Sequence, residues 1–162
     1  MPQGHVRIRR SRRTDFVAVM HLLAASGVPI PPPDRAALRR FRNLVSDLGA
    51  DFYLASVEDT LAGLLYVTYA RQLTVPPQAR LDHLVVAEAF RGRGVGVALL
   101  AFAERRARQR GCGALSCALP TASAPLVRFL ERGGLQRMGD WFVQELRPDL
   151  PTVEGHTEGV RG

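Results

Sequence analysis

The sequence contains no lysine; all 22 of its basic residues are arginine. That excludes a phosphate loop of the Gly-x-x-x-x-Gly-Lys-Ser/Thr kind. It has two cysteines, Cys112 and Cys117, too few for a disulfide-stapled scaffold. Without a secretory context they read as buried thiols rather than a disulfide or a metal pair, and no metal is expected. No apolar run approaches the roughly 20 residues that a membrane span needs. The Arg-rich N-terminus is not followed by an apolar core, so no signal peptide is expected, the cytoplasm is the default compartment and no membrane partner is foreseen.

What is present fits one domain over residues 1–147, with a polar, Pro/Gly-rich tail over 148–162 expected to be disordered. Of the 162 residues 46% are hydrophobic, enough for a packed core. The formal net charge is +7 and the sequence pI is about 10.8. A basic chain can be drawn to nucleic acid. The exclusive use of arginine instead fits a coding bias, and Val6 and Ile8 alternate at the start of the RIRRSRR run as in a strand, so nucleic acid is not the expected partner.

Periodicity gives the order β-α-α-β-β-β-α-β-α-β-β. A strand over His5–Arg10 precedes a helix opened by Thr14 or Asp15, with Phe16, Val19, Met20 and Leu23 at helical spacing. Gly27–Pro33 is a stiff connection. Asp34 caps a second helix whose buried stripe is Leu38, Phe41, Val45 and Leu48, with Gly49 as its stop. Asp51–Val57 and Leu61–Ala70 form a hairpin, where strand packing explains Tyr53, Tyr66 and Tyr69. After the loop Arg71–Ala79 comes a strand over Arg80–Val86. A helix from about Gly94 to Arg110 packs Leu99, Phe102, Ala103 and Ala107 inward and pairs Glu104 with Arg108 outside. A strand over Gly113–Leu119, a helix from Ser123 through Arg132 and a final hairpin over Leu135–Leu146 with Trp141, Phe142 and Val143 complete the chain.

The chain is organised around Leu81–Gly111, where an apolar strand delivers a Gly-rich loop onto a helix N-terminus. Backbone N–H groups and the helix dipole make such a junction an anion cradle. A dinucleotide fingerprint does not fit: Gly92 and Gly94 match, but the third glycine position is Val97 and no acidic residue lies at ribose distance. What remains is Arg91-Gly92-Arg93-Gly94-Val95-Gly96.

This run resembles the Arg/Gln-x-x-Gly-x-Gly/Ala loop of the GNAT superfamily, the acyl-CoA-dependent N-acyltransferases. The preceding LVV, the following helix and the order of elements resemble the family over roughly residues 6–146. The implied fold is α/β (α+β): a mixed, mostly antiparallel central sheet flanked by about four helices, with a parallel, splayed strand pair forming the acetyl-CoA cleft. The implied activity is acetyl transfer from acetyl-CoA to a primary amine, by direct attack in a ternary complex. The resemblance further implies that the backbone of Arg91, Gly92, Arg93, Gly94, Val95, Gly96 and Val97 holds the CoA pyrophosphate, with Arg91 and Arg93 adding charge. It implies that Leu84, Val85 and Val86 meet the pantetheine through backbone groups.

Amine attack needs a base, because an alkyl ammonium is unreactive at neutral pH. The family often places an acidic residue where Asp82 stands, so Asp82 is the favoured base and His83 the second. In a regular strand the two face opposite sides of the sheet, and only one looks into the cleft. The tyrosine that usually protonates the thiolate is replaced: counting back from Gly134-Leu135, its position holds Leu130 and the usual asparagine position holds Ser123. Ser123 is thus a candidate pantetheine contact or simply a helix N-cap. The missing tyrosine supports an alternative, a catalytically weak or inactive CoA-binding module used as a sensor. The acceptor, a small-molecule or peptide amine, is expected against Gly27–Arg42, Arg71–Ala79 and the Trp141 neighbourhood; homodimers are common in the family.

Overall fold

The computed structural model describes residues 5–27, 30, 32–118 and 123–138. The chain divides after Cys117 into two compact units. In the first, five strands form one sheet in chain order: β1 (Val6–Arg10), β2 (Ala50–Val57), β3 (Thr60–Ala70), β4 (Gln78–Val86) and β5 (Ala114–Cys117). The first four pair antiparallel, and β4 and β5 pair parallel. A parallel pair needs a crossover, which α3 (Val95–Gln109) supplies. β2 and β3 are joined by Glu58 and Asp59 alone, both at positive φ (48° and 63°), the two-residue turn whose twist matches an antiparallel hairpin.

α1 (Phe16–Ala25) and α2 (Arg35–Ser46) cover one face of the sheet. Phe16, Phe41, Phe52 and Tyr66 stack in sequence across that interface, each neighbouring pair of rings 5.6 Å apart. Asp34 caps α2 as expected, accepting from Ala37 N at 2.7 Å. Leu48 corrects the helical stripe: α2 ends at Ser46, Asp47 accepts from Gly49 N, and Leu48 is left 88% exposed beyond the last turn. Leu22, which the spacing did not single out, is buried in α1.

α3 lies on the other face. Leu99 and Ala103 are fully buried there, and the Glu104–Arg108 pair forms outside. Gly63 of β3 lets α3 and β4 close in: a Cβ at that position would meet Val85 O at 2.9 Å, Leu99 Cδ1 at 3.0 Å and Val95 Cγ1 at 3.2 Å. Asp51, 1% exposed, anchors the C-terminal half of α3. It accepts from Arg106 and Arg110, each at 3.0 Å, and from the Tyr69 hydroxyl at 2.8 Å.

The second unit contains α4 (Ala124–Arg132), with Ser123 as N-cap, Pro125 in its first turn and Leu130 buried. Gly134 turns the chain at φ 88°, and Leu135 N donates to Leu130 O. Leu135–Met138 carry no regular structure. The rest of the hairpin expected over Leu135–Leu146, with Trp141, and the tail over 148–162 lie outside the described residues.

Candidate functional site

β4 has one bonded edge and one partly open edge. It is paired with β3 along its length, but with β5 only from Gln78 to Leu81, opposite Ala114–Cys117. Among the described residues, Asp82–Val86 have no strand partner on the β5 side. Leu84, Val85 and Val86 are half-buried.

The open edge runs into the Gly-rich loop. Ala87 N donates to Ala62 O, a 3-10 turn spans Glu88–Phe90, and Gly92 and Gly94 take φ of 73° and 81°. Only glycine adopts that conformation without steric cost. The first i→i−4 bond of α3 is Ala98 N to Gly94 O, so the N–H groups of Gly94, Val95, Gly96 and Val97 precede the helical ladder. Among the described residues no side chain caps them. A Cβ at Gly92 or Gly94 would meet nothing within 4 Å, which marks the outer face of the loop as open. Val95 is buried while Val97 is exposed, so the Val95 side chain anchors the loop from below. This is a cradle for a diphosphate-sized anion.

The two loop arginines are engaged within the chain. Arg91 donates to Ser26 O at 2.7 Å, at the C-terminal end of α1, and lies 3.5 Å from Glu88. Arg93 stacks over Phe90, 5.5 Å from the ring centroid. Arg91 thus ties the loop to α1, a role that the sequence motif did not suggest.

The middle of β4 corrects the expectation that Asp82 and His83 face opposite ways. His83 is opposite Tyr66 and Leu81 is opposite Val67, leaving Asp82 as the extra residue of a bulge. Tyr66 and Thr68 share the α1–α2 face. His83 lies against the Tyr66 ring, centroids 6.1 Å apart, and Asp82 Oδ2 accepts from the Thr68 hydroxyl at 2.6 Å. The bulge therefore brings both candidate residues to one face. The other carboxylate oxygen, Oδ1, accepts from Arg80 Nε at 2.6 Å, so Asp82 is held on both sides. Burial pushes the His83 imidazole below its ordinary pKa, against a smaller upward pull from Asp82. The ring nevertheless keeps exposed area, which limits that push.

Two hollows border these groups. One, of about 450 Å³, is lined by Thr68, Gln72, Gln78, Arg80 and Ser116. The other, of about 190 Å³, lies between the helices and the sheet, with Tyr66 and His83 on its sheet side. Sequence reasoning missed Thr68 and Arg80, whose only signal is alternation with Asp82 and Tyr66, and it read Tyr66 as packing alone. Ser123 stands at the N-cap of α4 with no side-chain cap bond. Cys117 is half-buried, and burial raises its thiol.

The sequence matches the acetyltransferase (GNAT) family over residues 16–134. No curated protein matches it significantly. Among solved structures, a transcriptional regulator from Bacillus halodurans C-125 superposes with a TM-score of 0.78 at 24% identity, covering 88% of this chain and 100% of that one. A ribosomal-protein-alanine N-acetyltransferase from Brucella melitensis biovar Abortus 2308 gives 0.70 at 22% identity, covering 88% and 99%. AAC(6')-Iy, in complex with the bisubstrate analogue CoA-S-monomethyl-acetylneamine, gives 0.74 at 17% identity, covering 89% and 99%.

Proposed function

The chain belongs to the GNAT acetyltransferase family, and from that premise we propose that it is an N-acetyltransferase using acetyl-CoA and a primary amine in a ternary complex. The observation that carries the reading is the continuity of two backbone surfaces unpaired among the described residues, the β4 edge over Asp82–Val86 and the uncapped N–H groups of Gly94–Val97. The first offers main-chain partners to an amide-bearing arm, and the second binds a diphosphate. Leu84, Val85 and Val86 serve the arm, and the backbone from Arg91 to Val97 serves the diphosphate, with Arg91 fixing the loop. Acetyl-CoA supplies the acetyl group as an activated thioester.

The chain's own contribution is to neutralise the amine. With its pKa pushed down, His83 is the unprotonated base at neutral pH and takes the amine proton directly or through one water. Asp82, held by Thr68 and Arg80, fixes the field around His83. No donor is assigned to the thiolate, because Leu130 carries no proton to give.

Leu130 also favours a second reading, a CoA-binding module with weak or no turnover. Calorimetry with CoA, alongside thiol release from acetyl-CoA over a panel of amines, separates the two. Binding with amine-dependent thiol release is the expected result; binding without release from any amine overturns catalysis.

A further inference from the structure

The cavity of about 190 Å³ between α1, α2 and the sheet is apolar on nearly every side: Phe16, Val19, Leu23, Phe41 and Leu64 are among its walls. It is open to solvent on one side, so a ligand can enter it from the surface.

Of the lining residues, only His83 and Arg40 are exposed. An occupant whose apolar body fills the cavity therefore emerges beside the imidazole. Arg40 has no ion-pair partner among the described residues, and its free guanidinium repels a second cation on the same molecule. Size narrows the occupant further. Ligand pockets for drug-sized molecules run to about 300–1,000 Å³, while an apolar cavity of about 150 Å³ holds a benzene ring.

We propose that this cavity receives the body of the acceptor, a monoamine with one aromatic ring or a short branched alkyl group, its nitrogen held at His83 and its body against Phe41 and Leu64. This rests on the acetyl-transfer reading and names the substrate class for it. Polyhydroxylated amino sugars and polyamines are disfavoured, the first for want of polar partners inside and the second for charge.

The test uses 2-phenylethylamine, glucosamine and spermidine with the full-length protein and saturating acetyl-CoA. Calorimetry reads binding, and thiol release reads turnover. Ala37→Leu fills the cavity from α2 and Leu23→Phe fills it independently from α1, each with a thermal melt to confirm folding. The expected result is binding and turnover of 2-phenylethylamine, with kcat/KM at least about tenfold above the other two amines. Either filled variant raises its KM about tenfold or more and leaves the KM for acetyl-CoA unchanged. Preference for glucosamine or spermidine, absence of 2-phenylethylamine binding, or indifference of that binding to both variants overturns the cavity assignment. Binding that the filled variants abolish, without turnover of any amine, upholds the cavity and overturns acetyl transfer instead.

Discussion

Thr68 donates its hydroxyl to Asp82 Oδ2 at 2.6 Å, and that bond records a local reversal in β4. Thr68 stands two residues beyond Tyr66 on the same face of β3, and Tyr66 packs on His83. Neighbouring residues of a regular strand cannot both reach one face. The bulge at Asp82 lets them do so, and it sits where β4 loses β5 as a partner. One irregularity thus places a carboxylate and an imidazole side by side at the start of the open edge.

His83→Gln tests the base. It keeps a polar side chain of similar length but cannot hold a proton, so kcat falls about a hundredfold or more, with the KM for acetyl-CoA unchanged. In the wild-type protein the neutral imidazole is the active form, so activity is lost as pH falls through its pKa. Because burial lowers that pKa, the acidic limb of kcat/KM lies below 6.5, and it disappears in the variant. A limb at or above 6.5, or one that survives in His83→Gln, removes His83 from the role.

Asp82→Asn tests whether Asp82 positions rather than abstracts. Asp82 pulls the His83 pKa upward, so removing its charge lets that pKa fall further and shifts the acidic limb to lower pH. The amide can still bridge Thr68, and the loss in kcat is smaller than in His83→Gln. A larger loss, with no shift of the limb, makes Asp82 the proton acceptor.

Most of the architecture is legible in the sequence because periodicity and punctuation report it: Asp34 caps α2, glycines frame α3 and the β2–β3 turn falls between two β-rich runs. Leu48 was misplaced because helical spacing continues through a residue that lies past the last hydrogen-bonded turn. The loop reads well because three alternating glycines have few other uses. The bulge does not, since Arg80-Leu81-Asp82-His83 alternates like any strand and the extra residue appears only when β3 is laid beside it. The cavity is equally silent, its lining being drawn from two helices and three strands that look like ordinary core.

Gly94→Ala separates anion binding from folding. Gly94 has φ 81°, where an L side chain costs about 1–2 kcal/mol. Its Cβ meets nothing within 4 Å in the chain, so that strain is the whole folding penalty. The same Cβ points over the outer face of the loop, and relaxing the strain turns N–H groups away from it. CoA affinity by calorimetry is expected to drop about tenfold or more, a change of at least about 1.4 kcal/mol, with only a modest fall in Tm. Unchanged CoA affinity places the diphosphate elsewhere.

Asp51 governs stability rather than chemistry. Burial pushes its carboxyl up, but hydrogen bonds from Tyr69, Arg110 and Arg106 outweigh burial and hold it below its ordinary value of 3.8. A depressed folded-state pKa contributes stability that is fully present above the unfolded value and is lost as pH falls through the folded one. Asp51→Asn deletes that charge and leaves Arg106 and Arg110 facing a neutral amide. Breaking a buried ion pair costs about 3–5 kcal/mol, and the partial exposure of both arginines sets the low end, about 3 kcal/mol at pH 7. The corresponding fall in Tm is roughly 6–12 °C. The gap between the two proteins narrows as pH drops below about 4, where the wild-type carboxylate also gains its proton. Thermal melts from pH 7 to pH 3 check both points. A constant gap across that range shows that the cluster stabilises the fold through packing, not charge.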